Sequence, residues 1–259
     1  MKSNMILSAS GWRKVFSITN DEQDSSKNIG LENQAISVFA ALVFSDYVKE
    51  VTNKQKPTIL CGMDSRPTGS EIADATIKTL AANNVDVNFI GITAAPEIMA
   101  YSKNFDGFIY ISASHNPIGH NGIKFGLNTG GVLNGTENAK LVQKFNELCD
   151  KEDAIDFAMS ILNKANPSAV ENIYNNSPAQ KQQALLYYKN FLKETITACK
   201  DTTKQDEIFS IIKNTINQKK LGVVCDMNGS ARSISVDKDF FVLYSFFSML
   251  SWLKFRLSF

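Results

Sequence analysis

The stretch Phe108-Ile109-Tyr110-Ile111-Ser112-Ala113-Ser114-His115-Asn116-Pro117 decides how this chain is read. Phe108-Ile109-Tyr110-Ile111 is an apolar run of the kind that forms a short buried strand. A polar loop follows, carrying Asn116-Pro117, Gly119 and Asn121-Gly122, all turn formers. A second short run, Ile123-Lys124-Phe125, ends the loop. A serine hydroxyl, Ser114, therefore stands where a buried strand breaks into a tight turn. Ligands of α/β sheets bind just outside such strand ends. His115 follows the serine at once, and Lys124 lies ten positions on. Taken by spacing alone, a serine in an Asn-Pro turn is more often solvated than catalytic.

Working outward, strand-like and helix-like segments alternate, which is the signature of an α/β fold. Ile36, Phe39, Ala40, Val43 and Tyr47 follow helical spacing, and Thr58-Ile59-Leu60-Cys61 reads as a strand. Ile72, Ala75, Thr76 and Leu80 make the next helical stripe, while Val85, Val87 and Phe89 alternate as a strand does. Pro96 fits the first turn of a helix reaching about Tyr101. Beyond the serine loop, Leu141, Phe145 and Leu148 mark a helix. Ser177 and Pro178 read as the cap and first position of another, with Leu185, Tyr188, Leu192 and Ile196 on one face. Ile208, Ile211, Ile212 and Thr215 predict one more helix, leading into a strand over 221–225.

At 259 residues, the chain has enough length for one large core or two modest ones. Its hydrophobic share of 44% and charged share of 20% suit a globular protein. A net charge of +1 provides no long-range field for nucleic acid or an anionic membrane, so an anionic ligand must be met by local basic groups. The four cysteines, Cys61, Cys149, Cys199 and Cys225, have no short pairing and read as reduced thiols. His115 and His120 are the only histidines, which argues against a structural zinc site. The first residues lack a long apolar core, so a cytoplasmic location is expected.

The hexapeptide Ser112-Ala113-Ser114-His115-Asn116-Pro117, with Gly122-Ile123-Lys124 after it, resembles the active-site loop of the α-D-phosphohexomutases, the phosphoglucomutase and phosphomannomutase family. Three further segments resemble that family in its order. They are Ser8-Ala9-Ser10-Gly11-Trp12-Arg13, Gly62-Met63-Asp64-Ser65-Arg66-Pro67-Thr68-Gly69, and Val223-Val224-Cys225-Asp226-Met227-Asn228-Gly229. Ser8 and Lys14 stand where the family usually carries glycine.

The resemblance implies a three-layer α/β/α first domain with a mixed sheet over residues 1–185. The opening of an incomplete second α/β domain would follow over 186–241. It implies a phosphotransferase that interconverts hexose 1-phosphate and 6-phosphate through a phosphoserine and a bisphosphate. Ser114 would be the nucleophile and phosphate carrier, Lys124 the general acid/base, and His115 a hydrogen-bonding or proton-relay partner. Arg13 would meet the reacting phosphate, with Ser10, Gly11 and Asn116 in the loops around it. Asp64 and Arg66 are expected to shape their own turn through a local ion pair or Asx turn. A magnesium ion would touch the Ser114 phosphate. The family's Asp-Gly-Asp-x-Asp-Arg metal loop, its sugar-reading loop and its distal phosphate clamp are not found in these residues, so a truncated chain, inactive alone and weak in Mg2+, is expected. Two alternatives stay open: missing parts supplied by another chain, or a non-catalytic phosphosugar-binding or interaction module. The partner implied is a hexose phosphate, with no nucleic acid and no membrane.

The last segment, FFVLYSFFSMLSWLKFRLSF, holds six phenylalanines in twenty residues. Its apolar part, 240–253, is shorter than the roughly 20 residues of a membrane span. An interfacial anchor and a buried final element are two readings. The favoured one is an aberrant apolar tail over 242–259, of the composition that an out-of-frame reading of A+T-rich DNA produces.

Overall fold

The computed structural model describes residues 1, 3–219, 226–237 and 240. The strand expected over 221–225 and the tail over 242–259 lie outside the described residues.

The described strands are β1 (Ile6–Ser8), β2 (Gly11–Val15), β3 (Thr58–Met63), β4 (Asp86–Ile92), β5 (Gly107–Ile111) and β6 (His120–Leu127). They form one sheet in the order β1-β2-β6-β5-β3-β4. β3 runs parallel to both β4 and β5, whereas β5, β6, β2 and β1 pair antiparallel in turn. The sheet is therefore mixed, as expected. The helices are α1 (Gly30–Thr52), α2 (Gly69–Ala82), α3 (Ala95–Tyr101), α4 (Gly135–Cys149), α5 (Ala154–Leu162), α6 (Pro167–Thr197) and α7 (Thr202–Lys219).

Strand alternation builds the layers. Trp12, Ile59, Cys61, Ile109, Ile111, Ile123 and Phe125 point to one face and join the large core formed with α1, α2, α4 and α5. Leu60, Ile90, Phe108 and Tyr110 point to the other and pack with Ile98 and Tyr101 of α3 and Ala184 of α6. That gives helix, sheet, helix. The second helical layer covers β3, β4 and β5, while β6 and β2 contribute no residue to its core. Lys124 and Arg13 lie on that less covered part of the sheet.

Several expectations are corrected. Asn121 and Gly122 do not turn; they belong to β6. The Asn121 amide is buried and donates to Thr68 Oγ1 at 3.0 Å. Gly122 lies so close to β2 that a Cβ there would stand 2.6 Å from the Trp12 carbonyl oxygen. Pairing on both sides outweighs the local turn propensity. Ser177-Pro178 does not start a helix either. α6 starts at Pro167, where the Asn166 side chain accepts from the amides of Ser168 and Ala169, and Pro178 lies inside it. Two cap-Pro pairs sit eleven residues apart, and the earlier one begins the helix. Residue 185 thus falls within one continuous helix. Ile196 on α6 is 50% exposed and Ile211 on α7 is 65% exposed; α7 buries Gln205, Phe209 and Ile216 instead.

Candidate active site

Three turns leave the carboxyl ends of the adjacent parallel strands: 64–68 after β3, 93–94 after β4, and 112–119 after β5. Backbone and side chain tie them together. Asp64 N–H donates to Ile111 O at 2.9 Å, Thr93 N–H to Met63 O at 2.8 Å, and the Tyr110 hydroxyl to Thr93 O at 3.0 Å.

Ser114 is exposed at the crest of the third turn, with its backbone at φ +61. Few non-glycine residues take this left-handed conformation, and those that do cluster at functional sites. Its amide donates to Ser112 Oγ at 3.1 Å, and the Ser112 side chain is among the groups that lower the Asp64 pKa against burial. Lys124 Nζ donates to Ser114 Oγ at 3.0 Å. The lysine reaches this point across the neighbouring strand. Its stem passes over Gly11, where φ is +137 and a Cβ would stand 2.9 Å from Lys124 Cγ. Its ammonium also lies 5.9 Å from the centre of the Tyr110 ring.

Burial lowers the Lys124 pKa from the ordinary lysine value, the Arg13 charge lowers it further, and Asp64 works against both. Arg13 sits beside this pair on β2, opposite Gly122. Its Nη2 donates to Ser10 Oγ at 2.7 Å, and its Nε is buried without a partner. Ser10 shares a 3.0 Å hydrogen bond with Ser8, whose hydroxyl also donates to Gly11 O. The Ser8 hydroxyl therefore closes the β1–β2 turn. Lys14, one residue along from Arg13, turns to the other face, where burial lowers its pKa and Glu32 opposes that shift.

The structure thus brings together Ser114, Lys124, Arg13, Ser10 and Gly11. His115 is not drawn in: its ring is exposed and bonds no described residue. Asn116 takes part through its carbonyl, which accepts from Arg66. Arg66 does make the expected local contacts, with its N–H 3.0 Å from Asp64 Oδ1 and its Nε 3.4 Å from Oδ2. Its reach into the serine loop, and the part played by Ser112, were not foreseen. Both follow from β3 and β5 being neighbours, which only the sheet order reveals.

Magnesium finds little to hold it here. A hard cation takes about six oxygen ligands. Both Asp64 oxygens already face Arg66, and burial raises the Asp64 pKa against its hydrogen bonds. Among the described residues no three His, Cys, Asp or Glu side chains converge. These residues do not form a magnesium site.

A family model described as phosphoglucomutase/phosphomannomutase, alpha/beta/alpha domain I, matches residues 7–152, more than half of the chain. The chain belongs to this family. Its match covers every strand of the sheet but the first residue of β1. The phosphoglucosamine mutase of Sulfurovum sp. (strain NBC37-1) is 37% identical over 121 residues, which are 46% of this chain and 26% of that protein. The phosphoglucosamine mutase of Corynebacterium aurimucosum is 30% identical over 178 residues, 65% of this chain and 36% of that protein. The solved structure of a phosphoglucomutase/phosphomannomutase family protein from Burkholderia thailandensis aligns with a TM-score of 0.41 and 25% identity, over 55% of this chain and 30% of that one. The chain spans about a quarter to a third of the length of the curated relatives it matches.

Proposed function

We propose that Ser114 is the phosphate carrier of a sugar-phosphate mutase and that Lys124 moves its proton. The observation that carries this reading is the 3.0 Å contact between Lys124 Nζ and Ser114 Oγ, made by a lysine whose pKa is lowered. In its neutral form Lys124 takes the hydroxyl proton as Ser114 Oγ attacks phosphorus. The new O–P bond forms on serine while the bond to the sugar oxygen breaks, and that oxygen leaves as a hydroxyl by taking the proton from the Lys124 ammonium. In the reverse transfer Lys124 takes the proton of the attacking sugar hydroxyl and delivers it to Ser114 Oγ as the phosphoryl group leaves. Arg13, whose charge acts on Lys124 from the neighbouring strand, balances the charge of the transferring group.

The substrate class is a hexose phosphate. The names of the relatives make glucosamine phosphate the first to test, with the glucose and mannose phosphates as comparators. The loops that read the sugar and clamp its second phosphate belong to other domains of the family. The half-reaction on serine is the step assigned to these residues.

The test is incubation with labelled hexose 1,6-bisphosphate and Mg2+, followed by peptide mapping. Slow label on Ser114, absent from Ser114→Ala, is expected. Label that persists in Ser114→Ala would show that the carrier is another residue. Saturable binding of hexose phosphate with no label would favour a non-catalytic binding module.

A further inference from the structure

The Arg66 guanidinium is spent entirely on the chain's own backbone and one carboxylate. Nη1 donates to Pro117 O at 2.5 Å and His120 O at 3.1 Å. Nη2 donates to Asn116 O at 2.5 Å and Ser114 O at 3.1 Å. Nε faces Asp64 Oδ2. A guanidinium has five N–H groups; the four on Nη1 and Nη2 have carbonyl acceptors here, and the fifth, on Nε, lies in ion-pair range of a carboxylate. The Arg66 side chain is 12% exposed and that of Asp64 is 13% exposed.

Two consequences follow. Both terminal nitrogens of Arg66 are taken by carbonyls of the chain, whereas the Arg13 guanidinium makes one side-chain hydrogen bond, from Nη2 to Ser10. And four carbonyls, three from the serine loop and one from the first residue of β6, converge on a single planar cation. That convergence turns the carbonyls of residues 114, 116, 117 and 120 inward and fixes the loop around them, with the left-handed Ser114 at its crest. The same turn reaches the start of the next segment: Ser65 Oγ donates to Gly229 O at 2.9 Å.

We propose that Arg66 is a positioning residue for phosphoryl transfer. It acts on Ser114 through the loop backbone, with Asp64 held beside it to fix the guanidinium, and it never touches the substrate. The proposal rests on Ser114 being the phosphate carrier. Lysine, a point charge with three donors, does not replace a planar fork that binds four carbonyls at once.

The experiment compares the whole chain with Arg66→Lys and Arg66→Ala by three readouts. These are hydrogen exchange of amides 112–122 against those of β3, the rate constant for Ser114 labelling at saturating hexose bisphosphate, and the donor concentration giving half that rate. Both variants should exchange the loop amides faster while β3 stays protected. The labelling rate constant should fall about a hundredfold, the scale of a displacement of about 1 Å at a reacting group. The half-saturating concentration should not move. Millimolar guanidinium ion should restore part of the rate to Arg66→Ala. Loop exchange unchanged in Arg66→Lys, or a raised half-saturating concentration at an unchanged rate constant, overturns the proposal; the latter would make Arg66 a ligand contact. If Arg66→Ala does not fold, the exchange and rate pattern of Arg66→Lys decides. If the wild-type chain takes no label on Ser114, the carrier role fails, and with it the role of Arg66 in transfer.

Discussion

Three consecutive residues of β6 belong to two different regions. Ile123 and Phe125 enter the core shared with α1 and α4, where they are 1% and 4% exposed. Lys124 between them points to the opposite face, where the helical layer gives out and Ser114 and Arg13 wait. The first region is dry and close-packed and is held by shape. Trp12 meets Phe125 edge to face at 4.9 Å and Phe145 at 4.8 Å, and its indole N–H donates to Asn138 Oδ1 at 2.8 Å. The second is held by a few polar contacts around an open edge. The difference teaches that one strand pair carries both stability and chemistry, divided by side-chain parity. A slip of one residue by β6 would bury Lys124 and expose Phe125, and the same slip by β2 would bury Arg13 and expose Trp12.

The division can be broken first from its core side. Trp12→Ala removes a fully buried indole and leaves Asn138 Oδ1 without its donor. A loss of about 3–5 kcal/mol in unfolding free energy is expected, read by urea denaturation. The labelling rate of whatever fraction stays folded should change much less. If Trp12→Ala unfolds at the wild-type midpoint, the core face does not hold the sheet as described.

The site side answers in the other measurement. Lys124→Met keeps the stem that crosses Gly11 and loses the amine. The Ser114 labelling rate should fall by roughly 10²- to 10⁴-fold, the range for removing a general acid/base, while the urea midpoint stays near wild type. A variant that labels at the wild-type rate would transfer the proton role to another group.

Gly11→Ala touches both regions. The φ of +137 disfavours any side chain, and the added methyl meets Lys124 Cγ. A cost of about 1–3 kcal/mol in stability, together with a slower labelling rate, is expected. A rate loss without a stability loss would show that the backbone relaxes and only the lysine is displaced.

How far the sequence reveals this division differs element by element. α1 was legible because thirteen of its residues are buried and the stripe Ile36, Phe39, Ala40, Val43, Tyr47 repeats with helical period. β5 was legible as a fully buried run. The β1–β2 hairpin was not read as strands, because Ser8, Ser10, Arg13 and Lys14 mask its alternation on a half-covered edge. α5 went unread: it is nine residues long and its Asp153 cap makes no side-chain bond. Ser114, Lys124 and Arg13 came from motif resemblance, and the structure adds that they lie together. The Arg66 contacts span 48 to 54 residues of chain and leave no local trace in the sequence.

The smallest effect is the pH dependence that the site imposes on the whole fold. Lys124 has its pKa lowered in the folded chain, by burial first and by Arg13 second. In the unfolded chain it returns to about 10.4. Between those two values the unfolded chain holds the proton more tightly, so stability rises with pH across that window. Lys14 and Lys181 are also lowered, but both are common to wild type and Lys124→Met and cancel in their difference; Asp64, which the Lys124 charge holds down, titrates on the acid side and is kept out of it by working from neutral pH upward. The stability of wild type relative to Lys124→Met should therefore increase as pH climbs from neutral toward 10, modestly, because Lys124 keeps contact with solvent. Urea midpoints of the two proteins at several pH values measure it. The labelling rate should climb over the same window as the amine turns neutral. Arg13→Gln removes the second cause and should move that climb to higher pH. A flat stability difference, or a climb that stays in place in Arg13→Gln, would mean that Lys124 is neither desolvated nor paired in charge with Arg13, and the open face would lose its claim to the proton.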